Sequence, residues 1–175
     1  GGLTGLKTAH RPITLTGSVP LPSSQDTVGP LTHDIADANA LCAILSGGKP
    51  ADLAASSLKG VRILRATTIF DDLVHPDIAK TLQTALDHLS AQGAQIIDGP
   101  VPAFKDVLEL CNEHGYPGML EGYTLWGDAI KANPDRINPA IGHRFLAGDN
   151  FTAANALKLE FGLNKLRQDY LAQTA

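Results

Sequence analysis

Two short apolar runs bracketing one amphipathic stretch constrain this chain most. Val61-Arg62-Ile63-Leu64 and Ala94 to Ile97 read as strands. Between them Pro76 opens a helical pattern, its apolar positions Ile78, Leu82, Leu86 and Leu89 share one face, and Gly93 closes it. Strand, helix, strand over residues 61–97 predicts a βαβ unit with parallel strands, because parallel neighbours need a crossover and a helix is the usual one. The crossover is expected to be right-handed. The fold class is therefore α/β.

The flanking segments read differently. Residues 1–31 are rich in Gly, Pro, Ser and Thr, with β-prone runs such as Ile13-Thr14-Leu15-Thr16 and turn punctuation at Gly17, Pro20, Pro22, Gly29 and Pro30, which predicts loops and short strands. From Thr32, taken as an N-cap, Ile35, Ala38, Leu41, Cys42 and Leu45 fall at helical spacing, and Gly47-Gly48 stops the helix. Small residues over 49–58 read as a linker. Beyond Pro102 the pattern is helical, with Phe104, Val107, Leu108 and Cys111 on one face, and a last long helix carries Ala156, Leu159, Leu163, Leu166 and Tyr170. The organisation expected is one partial domain: 1–48, a linker at 49–58, the βαβ unit at 59–98 and a helical region at 99–175. There is no internal repeat.

With 43% hydrophobic and 18% charged residues in 175, the chain can bury a sizeable core. Its net charge is −4 and its 14 Lys and Arg form no run, which argues against nucleic acid as a partner. No stretch approaches the roughly 20 apolar residues of a membrane span, and no signal-peptide plan opens the chain, so no membrane association is expected. Cys42 and Cys111, both on apolar helix faces, read as buried free thiols, which fits a reducing, cytoplasmic setting. The chain opens Gly1-Gly2-Leu3-Thr4 without a start to its first element, as an internal piece of a longer chain would.

Local motifs offer little chemistry. The histidines at 10, 33, 75, 88, 114 and 143 include no i, i+4 pair and no Cys-x-x-Cys accompanies them, so neither a metal nor another cofactor is expected, and each reads as a surface or capping residue. Ser46-Gly47-Gly48-Lys49 lacks the first glycine of a phosphate loop and has Pro50 in place of the metal-binding hydroxyl; it reads as a helix stop. No serine sits in a G-x-S-x-G elbow. Asp71-Asp72 reads as a solvated turn rather than a pair of carboxylates with separated pKa values.

A longer pattern carries more. Gly2-Leu3-Thr4-Gly5-Leu6-Lys7-Thr8, Gly17-Ser18-Val19-Pro20-Leu21, Ser24-Gln25-Asp26-Thr27-Val28-Gly29-Pro30-Leu31, Asp37-Ala38 and Gly47, in that order and spacing, resemble the downstream half of the amidase signature. The likeness continues through Leu58-Lys59-Gly60-Val61-Arg62-Ile63 and Gly93-Ala94, and extends to Glu121-Gly122-Tyr123 and the Arg144 to Gly148 segment. Lys7-Thr8-Ala9 and Arg11-Pro12 stand where such families usually show Lys-Pro-Thr and a Gly-Arg pair, which bears on the subfamily.

The resemblance implies part of an amidase signature fold: a mixed β-sheet flanked by helices, with the βαβ unit inside it and a mostly helical C-terminal third. It implies hydrolysis of a carboxamide by a serine activated through a second serine by a neutral lysine, with backbone N–H groups facing the oxyanion. In the family these parts lie upstream of the segment matched here, so no catalytic residue is expected in this chain and it is expected to be inactive alone. Substrate contacts are expected from Asp26 and Thr27, in a turn that equally reads as purely structural, and from Arg144. An arginine on a similar helix of the related amidotransferase A subunits binds the substrate carboxylate; a surface ion pair is the other reading. Trp126 and Tyr123 read either as pocket lining or as core. The partner expected is a small-molecule amide, and surfaces bared by a missing upstream half predict a homo-oligomer. The alternative is a non-catalytic module that binds a ligand or partner through that face.

Overall fold

The computed structural model describes residues 2–10, 12–54, 57–68 and 74–174. The chain divides into two compact units, one formed by Gly1–Ala54 with Gly115–Ala156 and the other by Ala55–His114 with Leu157–Ala175. No helix among the described residues is long and apolar enough to cross a membrane.

The second unit contains the expected βαβ element. Strands β3 (Arg62–Ala66) and β4 (Gln95–Gly99) pair in parallel, in register from Arg62 with Gln95 to Ala66 with Gly99. Between them lies α2 (Pro76–Ala91), with Pro at its first turn and His75 accepting the Asp77 N–H. The chain turns back through Gly93, whose φ of 103° is one that only glycine adopts without strain. Of the predicted face of α2, Leu86 is buried, whereas Ile78 is 63% exposed and Leu82 46%. Helix α3 (Pro102–His114) and, from Leu157 onward, α6 (Ala153–Thr174) complete the helical part of this unit, where Phe104 and Tyr170 stack at 5.9 Å. Cys111 is buried and free, and burial pushes its thiol above its ordinary value, so it stays an inert thiol; Cys42 of the other unit, expected to be buried, is free but only half-buried.

The first unit begins with β1 (Thr4–Gly5) and β2 (Leu31–Thr32), an antiparallel pair, followed by α1 (Ile35–Ser46). Two expectations are corrected here. The run Ile13 to Thr16 is not a strand; the hydroxyls of Thr14 and Thr16 hydrogen-bond each other, local bonding that competes with a ladder. Thr32 is not the N-cap of α1: it ends β2, and Asp34, with extended backbone, caps the helix by accepting the Asp37 N–H. The helix does stop at Gly47, which is left-handed at φ 70° and donates to Ile44 while Gly48 donates to Ala43, the expected reading of Ser46-Gly47-Gly48. Asn39 then pins the chain leaving the helix, exchanging two hydrogen bonds with the Ala51 backbone.

Helix α4 (Pro117–Ala132), α5 (Pro139–Leu146) and a 3-10 turn at Ala147–Asn150 supply the rest of this unit. Their contacts depend on glycines: a Cβ on Gly122 would stand 2.7 Å from the Phe145 ring, and one on Gly148 2.7 Å from the Met119 carbonyl. The small sheet depends on another, because a Cβ on Gly29 would lie 1.9 Å from the Leu6 carbonyl oxygen, beside the Leu6 N–H to Pro30 carbonyl bond. Backbone cannot rotate aside as a side chain can. Gly29→Ala is therefore expected to cost about 1–3 kcal/mol in urea unfolding, in the range of other overpacking substitutions, while Gly48→Ala, whose nearest neighbour is the Ser46 hydroxyl, changes little.

Candidate functional site

The segment from Pro20 to Pro30 has almost no ladder of its own, so side chains satisfy its backbone. The Asp26 carboxylate accepts the Leu21 N–H at 2.8 Å, and the Gln25 and Asp26 N–H groups both donate to the Pro22 carbonyl, closing a tight turn. The Thr8 hydroxyl donates to the Val28 carbonyl at 2.8 Å. Helix α4 receives this turn. Pro22 lies against Gly118, the Glu121 carboxylate takes both the N–H (3.0 Å) and the hydroxyl of Ser24, and the Trp126 indole N–H donates to the Pro20 carbonyl at 2.9 Å. Positions 118, 121 and 126 lie within about two turns of helix.

A second cluster lies farther along the same helix. The Tyr123 hydroxyl donates to Asp149 at 2.5 Å, and the Lys131 ammonium donates to that hydroxyl at 2.9 Å and to the other Asp149 oxygen at 3.2 Å. The ammonium also sits 4.9 Å above the Tyr123 ring. The Tyr123 hydroxyl first, and then the Lys131 ammonium, hold the Asp149 carboxyl below its ordinary 3.8. The same hydroxyl and Asp149 raise Lys131 above its ordinary 10.5. All three groups are solvent-accessible, so the cluster fastens the 3-10 turn to α4 rather than forming a dry reactive site.

The expected site residues are placed as follows. Asp26 is half-buried and engaged with Leu21; Thr27 beside it is half-buried, with no side-chain hydrogen bond to another described residue. Arg144 lies in the last turn of α5, exposed, with no ion pair to any described residue. Turn and arginine share one compact unit, and no direct bond joins them. Trp126 and Tyr123 are half-buried with their polar atoms engaged. Among the described residues no group of three His, Cys, Asp or Glu could hold a metal. An open groove in the same unit is lined by His10, Ile13, Thr14, Ile44, Leu45 and Ser46. Gly1, Arg11 and the Asp71-Asp72 pair lie outside the described residues.

Sequence reading missed the clamp by Glu121 and the role of Lys131 and Asp149. Glu121 is 97 residues from Ser24, and nothing local marks that distance.

A family model described as Amidase matches residues 1–125. The chain is 34% identical over 161 residues to the 2-amino-5-chloromuconic acid deaminase of Comamonas testosteroni, covering 90% of this chain and 34% of that protein. It is 30% identical over 151 residues to the A subunit of the glutamyl-tRNA(Gln) amidotransferase of Brachyspira hyodysenteriae, covering 73% of this chain and 31% of that one. A solved structure described as a crystal structure of amidase matches its fold with a TM-score of 0.83 and 22% identity, over 97% of this chain and 38% of that chain. The chain thus spans about a third of the length of the curated relatives it matches.

Two outcomes follow from the geometry. Glu121→Ala strips two partners from Ser24 and is expected to cost roughly 1–3 kcal/mol of local stability, read as faster amide exchange at Ser24 with α2 unaffected. For Asp149, a depressed folded pKa means that its stabilisation is present above the unfolded value and is lost as pH falls through the folded one. An NMR titration should place its midpoint below 3.8, and Tyr123→Phe should move it upward.

Proposed function

The chain belongs to the amidase family, and from that premise we propose that it is part of an enzyme that hydrolyses a carboxamide to a carboxylic acid and ammonia. The observation that carries this reading is the Ser24 to Pro30 turn, which lies inside the matched residues 1–125 and is seated on α4 by Glu121.

In this reading the catalytic Ser-Ser-Lys residues belong to the part of the fold that this chain does not span, and the chain by itself is inactive. The serine oxygen adds to the amide carbon, and the tetrahedral oxyanion is held by backbone N–H groups. The C–N bond breaks as the nitrogen takes a proton from the serine-lysine relay and leaves as ammonia. Water then cleaves the acyl-enzyme ester, restoring the serine proton and releasing the acid.

This chain contributes to binding. Thr27 offers a hydroxyl with no partner among the described residues, Asp26 shapes the turn that presents it, and Arg144 offers an exposed guanidinium. A guanidinium pairs with a carboxylate through two parallel N–H donors, so the substrate favoured is an amide that also carries a carboxylate. The name of the deaminase relative, which describes an acid, supports that choice. We read the protein as cytoplasmic, and the chain on its own as a homo-oligomer, since Leu31, Ile44 and Phe161 are each more than 60% exposed.

Ammonia release from aliphatic and aromatic amides, with and without a carboxylate, tests the reading. Activity is expected only from a longer polypeptide that includes a serine-rich segment and its lysine. Activity of the 175-residue chain alone would overturn the mechanism, and silence of both would favour a non-catalytic binding module. In the active form Arg144→Ala should raise KM for carboxylate-bearing amides roughly ten- to a hundredfold, the scale of a lost charge-assisted hydrogen bond, and leave uncharged amides unchanged.

A further inference from the structure

Helix α6 is apolar on two opposite sides. At 3.6 residues per turn Leu159, Leu163, Leu166 and Tyr170 share one side. Along that side Leu159 is buried, Tyr170 stacks on Phe104 of α3, and a Cβ on Gly162 would stand 2.6 Å from Leu110 of the same helix. The other side carries Leu157, Phe161 and Leu171, which are 52%, 67% and 53% exposed. A helix that is hydrophobic all round is normally covered all round, so this second stripe marks an interface.

The stripe has the spacing of a helix-pairing seam. Leu157, Asn164 and Leu171 recur every seven residues, with Phe161 and Gln168 between them. A two-fold axis through Asn164 therefore places Leu157 of one copy opposite Leu171 of another. The Asn164 side-chain carbonyl accepts from Arg167 at 3.4 Å, and its NH2 has no partner among the described residues. On the axis two such amides meet and can bond each other, and a polar residue in a seam fixes register in this way.

The flanking charges favour a second copy and set its direction. Glu160 and Arg167 lie on the same flank of the stripe, on either side of Asn164, and neither has an ion pair with a described residue. An antiparallel pair brings Glu160 of each copy beside Arg167 of the other. On the opposite flank Lys165 would face its own counterpart, but Asp169 already neutralises it at 2.6 Å. A parallel pair sets Ala172 opposite Arg167 and leaves that guanidinium without an acid. We propose that α6 pairs antiparallel with α6 of a second copy of this chain, through the stripe of Leu157, Phe161, Asn164 and Leu171. The proposal names the surface of the homo-oligomer read above and rests on that reading.

Sedimentation of the 175-residue chain over a range of concentrations is expected to show a monomer–dimer equilibrium. Phe161→Lys should weaken the dimer roughly tenfold or more, the loss of an aromatic anchor. Glu160→Arg and Arg167→Glu should each weaken it several-fold by setting like charges face to face, and the double variant should restore it, which a fault in folding would not do. Direction is read by oxidising Leu157→Cys and Leu171→Cys chains, each also carrying Cys42→Ser. Their mixture is expected to form a disulfide between the two variants, and neither variant to form one alone. A disulfide in Leu157→Cys alone, or a dimer indifferent to all these substitutions, overturns the proposal and keeps the homo-oligomer reading. A strictly monomeric chain overturns both. A longer, monomeric polypeptide in which the thiol of Phe161→Cys is shielded from maleimide would show its own remainder covering the stripe, and overturns the proposal as well.

Discussion

Every backbone N–H and C=O withdrawn from bulk water needs a partner, and the two units meet that demand in different ways. In the second unit the ladder between β3 and β4 and the turns of the helices supply it. In the first unit a long irregular segment has only the two-residue strands β1 and β2, so side chains take over. Asp26 closes a turn on Leu21, Thr8 holds Val28, Glu121 holds Ser24, Trp126 holds Pro20, and Asn39 holds Ala51. The Thr8 bond is part-buried, so removing that hydroxyl leaves a sheltered carbonyl unpaired, which costs more than the net value of the bond; at the exposed bonds water takes the vacated place.

The same bonds give the Gly-Pro-rich turn a fixed shape, which the proposed binding role requires. Loops place functional groups well only when something rigid positions them. Helix α4 serves here: its side chains at 121 and 126 bond the turn, and Pro22 lies against Gly118. The Tyr123, Lys131 and Asp149 cluster fastens the following 3-10 turn to the same helix.

Much of the fold was legible because it depends on local rules. The βαβ element followed from two apolar runs, a proline and a glycine; α2 begins at Pro76 and the chain turns at Gly93 as read. The end of α1 at Gly47 was legible for the same reason. The start of α1 was misplaced by two residues because Thr32 and Asp34 are both good caps, and the choice between them was made by β2, which claims Thr32 through its pairing with Thr4. The Ile13 to Thr16 run has strand composition but no partner strand, and β-propensity describes fit to a sheet rather than an intrinsic preference.

By itself the sequence determined the α/β class, the order of strand and helix, the helix stops and the family resemblance, because each rests on residues close together in the chain or on a linear pattern. Only the tertiary structure decided that Glu121 seats Ser24 and that Asp149 answers Lys131. Those depend on which distant groups meet, and that is not encoded in the spacing of neighbours.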